Sequence, residues 1–202
     1  ITAVSGGAGA ISWDLNNGSV EGYTISVNDV NSTNNMTITP EIHIRGGNVE
    51  DGNAKSNTVN ISNVIFTDSA SIYGGYSKSV QLAFYSGDTS SNGTVTGNTV
   101  TIKDTTFTST SYPSNSYIYG GRSKGGNANN NAVIIDGETS FNNLYDIYGG
   151  YSGCGNANYN KVIISGGNFS RPVYGGYSYE GKANGNSVII SGGTFNNIYG
   201  GY

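Results

Sequence analysis

The sequence predicts an all-β fold, a right-handed parallel β-helix (β-solenoid) with about 25 residues per rung. Three observations predict it. An aliphatic–aromatic–Gly–Gly–aromatic motif recurs at Ile72–Tyr76, Ile118–Arg122, Ile147–Tyr151, Val173–Tyr177 and Ile198–Tyr202, with a degenerate copy at Ile44–Asn48. An Asn followed by an alternating apolar pair recurs five times: Asn57 with Val59 and Ile61, Asn98 with Val100 and Ile102, Asn131 with Val133 and Ile135, Asn160 with Val162 and Ile164, Asn186 with Val188 and Ile190. A Phe closes each copy, at Phe66, Phe107, Phe141, Phe169 and Phe195.

The Val-x-Ile alternation is a strand signal, and no stretch carries helical periodicity. Helical solenoids are therefore excluded. The last motifs repeat after 26 and then 25 residues, too few for a propeller blade, which needs roughly 40. Such a unit cannot bury its apolar face alone, and stacking its copies makes a continuous core.

Each element has a reason to sit where it does. The residue two positions after the Ile of each pair is Asn63, Asp104, Gly137, Gly166 or Gly192. These residue types tolerate left-handed backbone, so the position reads as a corner. Stacking places equivalent side chains about 4.8 Å apart. Val59, Val100, Val133, Val162 and Val188 then form one interior stack and the Phe series another, each buried Phe contributing roughly 1.5–3 kcal/mol. The Asn series from Asn57 to Asn186 is expected to form an amide ladder that satisfies polar corners.

Residues 1–43 read as irregular N-terminal rungs or a cap, with strand-like runs at Tyr23–Val27 and Met36–Thr39; residues 44–202 carry the repeats. The aromatic position of the first motif lies nine residues before the anchor Asn in four copies, but 22 before it between Tyr76 and Asn98. This marks an insertion within Lys78–Thr96, and a smaller one follows at Thr108–Tyr117. Insertions in solenoids become surface loops that can carry binding. The chain starts at Ile1 and stops at Tyr202 on a Tyr-Gly-Gly motif, so a longer native protein with further rungs is expected. No signal-peptide pattern and no apolar run of membrane-spanning length occurs in the sequence, so no direct membrane insertion of this segment is expected.

With 13 acidic and 9 basic residues, the chain offers no basic stripe for phosphates, which argues against a nucleic-acid partner. The single Cys154 can form no internal disulfide and reads as a tolerated small residue in a turn.

The runs IYGGYS, GNANNN and VIISGGTF resemble the repeats of large bacterial surface proteins of the autotransporter and filamentous-haemagglutinin type, over residues 44–202. The resemblance implies a secreted right-handed β-helix passenger exported across an outer membrane, located on the bacterial surface and used in adhesion. A signal peptide and a C-terminal translocator barrel, both part of that pattern, are not in this sequence.

Parallel β-helices also serve as polysaccharide lyases and hydrolases, so a carbohydrate-active enzyme is the alternative. Such sites need clustered carboxylates with a base nearby. The acids here are scattered: Asp136 aligns with Lys103 as an exposed pair, Glu138 has no acidic neighbour in its stack, and His43 stands alone. No Cys/His cluster suggests zinc, no calcium nonapeptide occurs, and Gly125–Asn131 lacks the Gly-Lys that a phosphate loop requires. No catalytic residue, cofactor or metal site is assigned, and no hydrolase or lyase activity is expected.

The aromatic columns are the candidate contact surface. Tyr73, Tyr119, Tyr148, Tyr174 and Tyr199 alternate with inward aliphatic residues and should point outward; Tyr76, Tyr151, Tyr177 and Tyr202 form a second column with Arg122 among them as a cation–π partner. They either stack on one another or offer a platform to a host glycan, a host protein or another copy of the chain. The insertion adds Leu82, Phe84 and Tyr85, unusual in a solvated loop. The candidate partner-binding residues are Tyr73, Tyr76, Leu82, Phe84, Tyr85, Tyr119, Tyr148 and Tyr174.

Overall fold

The computed structural model describes residues 9–28, 36–38, 42–67, 70–77, 93–108, 116–141 and 145–202. The chain is all-β, with no helix among the described residues. Every strand pair found there is parallel. The strands stack copy upon copy, in the register that the repeat alignment predicts. Ile44, Ile72, Ile118, Ile147, Val173 and Ile198 follow one another across the first sheet. Val59, Val100, Val133, Val162 and Val188 do so across a second. Phe66, Phe107 and Phe141 run through a third, and Phe169 and Phe195 through a fourth, two-stranded one.

One aliphatic core joins the inward residues of these sheets. In Thr58–Ser62 and Thr99–Lys103 alternate residues are buried, as a strand with one covered face requires. The Phe rings stack at 4.9 Å between Phe66 and Phe107 and 4.8 Å between Phe107 and Phe141. The column continues between the third and fourth sheets, where Phe141 meets Phe169 at 5.1 Å.

The N-terminal region joins the same sheets. Gly9–Glu21 pairs with Ile42–Lys55, shifting register between Ser12 and Asp14. Thr24–Asn28 pairs with Thr58–Ser62, and Met36–Ile38 with Val64–Phe66.

One local expectation needs correction. Asn63, Asp104 and Gly137 are left-handed, with φ of 54°, 46° and 66°. In the last two copies, however, the left-handed residue is Gly167 or Gly193, each at 112°, one position later than Gly166 and Gly192. That backbone presses against its neighbours: a Cβ on Gly167 would sit 2.8 Å from the Thr139 carbonyl oxygen, so the position needs glycine on both counts. The Lys78–Thr96 window holds an insertion of 13 residues, and the repeat resumes inside that window. Val95–Thr96 is a strand of the stack, pairing with Ala54–Lys55 and Ala128–Asn129. Its entry is also anchored, since Ser123 Oγ donates to the Gly93 carbonyl at 2.8 Å. Residues 78–92 lie outside the described residues, as do 109–115 of the smaller insertion.

Candidate contact face and its ladders

The Tyr-Gly-Gly motif and the anchor Asn form one device. A Cβ on the second glycine would meet the Asn side chain at 2.6 Å for Gly75 and Asn98, 2.4 Å for Gly121 and Asn131, and 2.3 Å for Gly150 and Asn160. The chain therefore turns against the amide only if glycine is there. The buried amides form the expected ladder. Asn57 Nδ2 donates to Asn98 Oδ1 at 3.0 Å, Asn98 Nδ2 to Asn131 Oδ1 at 3.0 Å, Asn131 Nδ2 to Asn160 Oδ1 at 3.1 Å, and Asn160 Nδ2 to Asn186 Oδ1 at 3.1 Å. Each Oδ1 also accepts the backbone N–H of the preceding Asn.

A second ladder escaped the sequence reading. Ser77, Ser123, Ser152 and Ser178 donate from Oγ to the carbonyls of Gly52, Gly93, Gly126 and Gly155. The recurring Ser after each aromatic-Gly-Gly-aromatic motif was its visible signal.

The two tyrosine columns lie on this same strand. In the first, ring centroids are 5.2 Å apart for Tyr73–Tyr119, 5.0 Å for Tyr119–Tyr148, 4.9 Å for Tyr148–Tyr174 and 4.9 Å for Tyr174–Tyr199. In the second, Tyr151–Tyr177 and Tyr177–Tyr202 are each 5.2 Å. The columns meet edge to face, as in Tyr73–Tyr76 at 68° and Tyr148–Tyr151 at 82°.

The alternation is right that the first column turns away from the aliphatic core, since these rings form a cluster of their own. Of the two readings, stacking on one another is what these rings do. Tyr73, Tyr119 and Tyr148 are only 4%, 3% and 8% exposed. Stacking at ring-contact distance covers both faces of an interior ring. Tyr76 is buried, while Tyr151, Tyr174 and Tyr177 are half-buried. Leu82, Phe84 and Tyr85 lie outside the described residues.

Burial pushes the phenol of Tyr119 well above its ordinary value, and raises those of Tyr73, Tyr148, Tyr151 and Tyr174. Those five phenols are therefore neutral across the physiological range.

Two arginines break the columns. Arg122 lies over Tyr76, Tyr119 and Tyr151, at 5.5, 5.3 and 5.5 Å from the ring centroids. Arg45, which the sequence reading did not single out, lies 5.4 Å from Tyr73 and 5.2 Å from Tyr76. Its signal was the degenerate motif, which puts Arg45 where Tyr73 stands in the next copy.

Elsewhere the polar groups have local roles. Asp136 is in register with Lys103. Its carboxylate accepts from Ser165 Oγ at 2.6 Å, and that bond holds it below the usual carboxylate range. Arg171 Nε donates to Asp146 at 3.1 Å. Burial and then Glu180 push the Cys154 thiol up, away from the reactive thiolate. Among the described residues no group of three or more His, Cys, Asp or Glu could hold a metal ion, and no helix is long and apolar enough to cross a membrane. No protein-family model, curated protein or solved structure matches the chain.

Proposed function

We propose that the chain is a right-handed parallel β-helix of about 25 residues per rung, serving as a structural and adhesive rod of a secreted bacterial surface protein. Its role is adhesion or self-association, with a host glycan, a host protein or another copy as partner. One observation carries this reading: the Asn ladder and the tyrosine columns run in register from copy to copy. Such continuity stiffens a stack along its axis, and a stiff stack presents the same outer face repeatedly. The resemblance of the IYGGYS and VIISGGTF runs to surface-protein repeats supports the same setting.

The test is direct. Beads coated with the purified chain are mixed with cultured epithelial cells, and the chain alone is followed by light scattering. The reading expects captured beads, or assemblies that grow with concentration. Beads indistinguishable from albumin-coated ones, together with a chain that stays monomeric at high concentration, would overturn it.

A further inference from the structure

We propose that Arg45, Tyr76 and Arg122 form a binding site for a carboxylate-bearing polysaccharide of the uronic-acid class. The proposal rests on reading the tyrosine–arginine face as the contact surface.

The first argument is departure from the repeat. The first-column position holds Tyr at 73, 119, 148, 174 and 199, but Arg at 45. The second-column position holds Tyr at 76, 151, 177 and 202, but Arg at 122. Stacking needs neither arginine, since tyrosine serves elsewhere. Yet both converge on one ring, within 5.2 and 5.5 Å of the Tyr76 centroid. Tyr76 is thereby the ring whose strand neighbours at its own position are Asn48 and Arg122 rather than tyrosines.

The second argument is unmet charge. Buried charges are ordinarily paired or fully hydrogen-bonded. The Nε atoms of Arg45 and Arg122 are buried and have no hydrogen-bond partner. Neither guanidinium has a carboxylate partner among the described residues, although the chain has an acidic excess of 13 to 9. Burial raises the phenols of Tyr73 and Tyr119 beside them, so these two rings do not repel an anion. Both arginines are half-buried and so partly open to solvent.

The third argument selects the ligand class. Strand Ala70–Ser77 is paired on both sides, with Ile42–Lys55 and with Ser116–Ser123, so this face has no free edge for a peptide strand. Interior rings of the columns are stacked on both faces, and Tyr73, Tyr76 and Tyr119 are buried, so the half-buried arginines are what this face opens to a ligand. A hydroxyl-rich chain running on along the columns meets the half-buried Tyr151, Tyr174 and Tyr177 in the later copies. Its carboxylates meet the planar guanidinium fork, which matches them bidentately.

Polygalacturonate, dextran sulfate and neutral dextran are immobilised, and retention of the whole chain is measured at low and physiological salt. Retention on polygalacturonate but not on neutral dextran is expected. Arg122→Tyr and Arg45→Tyr each complete a tyrosine column, so thermal unfolding should be unchanged or higher while retention falls at least tenfold. Arg122→Lys, which keeps charge but not the fork, should fall between. Lys103→Gln and Lys161→Gln, on the other sheet, should leave retention within twofold. The proposal is overturned if the arginine and lysine variants lose retention equally, if both arginine variants bind like the parent, or if dextran sulfate alone is retained. A parent chain that does not bind polygalacturonate while its beads still adhere would sink this site and spare the adhesive rod. A parent chain that neither binds polygalacturonate nor adheres would sink both.

Discussion

At the scale of single residues, one amide at each corner serves several groups. Asn131 Oδ1 accepts from Asn98 N and Nδ2, while its own Nδ2 donates to the Val95 carbonyl and to Asn160 Oδ1. All of these groups are buried. Asn131→Ala should therefore lower stability by about 1–3 kcal/mol, through orphaned donors and acceptors rather than lost packing. Urea denaturation measures it, and an unchanged midpoint would deny the ladder an energetic role. Gly121→Ala should cost a similar amount, because its Cβ would fall 2.4 Å from the Asn131 side-chain carbon. The double variant should cost less than the two singles added, since the clash disappears with the amide. The Asn series and the Gly-Gly pairs were each legible in the sequence. Their contact was not, because nothing in residue spacing says that a glycine leaves room for a side chain ten positions ahead.

At the scale of elements, what was legible followed from periodicity. A five-residue strand such as Thr58–Ser62 alternates long enough to be read, and its buried residues are those the pattern names. Val95–Thr96 has two residues, too few to show any period, so nothing in the sequence marks it as a strand. The two-residue strand Thr106–Phe107 was caught only because Phe recurs. That Phe also carries the largest element-scale cost. Phe107 is fully buried between two parallel rings. Phe107→Ala should destabilise the chain by about 3–5 kcal/mol, while Phe107→Leu should cost clearly less. Equal melting temperatures for the two variants would mean that the column closes over the gap. The corners are governed by backbone instead. Asn63 at φ 54° should accept Gly within a few tenths of a kcal/mol, whereas Asn63→Val should lose about 1–2 kcal/mol in the same melting experiment.

At the scale of the whole molecule, the copies are tied by columns that share a protonation requirement. The half of the site legible in the sequence was which tyrosines are equivalent. The other half, that they bury one another, depends on a stacking distance that only the register sets. That burial gives the chain an alkaline limit. A phenol in the unfolded chain ionises near pH 10, about its reference value. Burial raises Tyr73, Tyr119, Tyr148, Tyr151 and Tyr174 above that. For a group whose folded pKa is raised, the unfolded state releases its proton first. The stability this shift contributes is fully present below about pH 10 and is lost as pH climbs through the folded values. Several stacked phenols share the requirement, so ionising one places charge against its neighbours and favours opening of the column. Phenolate absorbance and far-ultraviolet circular dichroism, followed together from pH 8 to pH 13, should show strand loss accompanying phenol ionisation of the buried set. If the buried phenols ionise as they do in the unfolded chain while the strand signal stays intact, the columns are open to water and the stack does not depend on them.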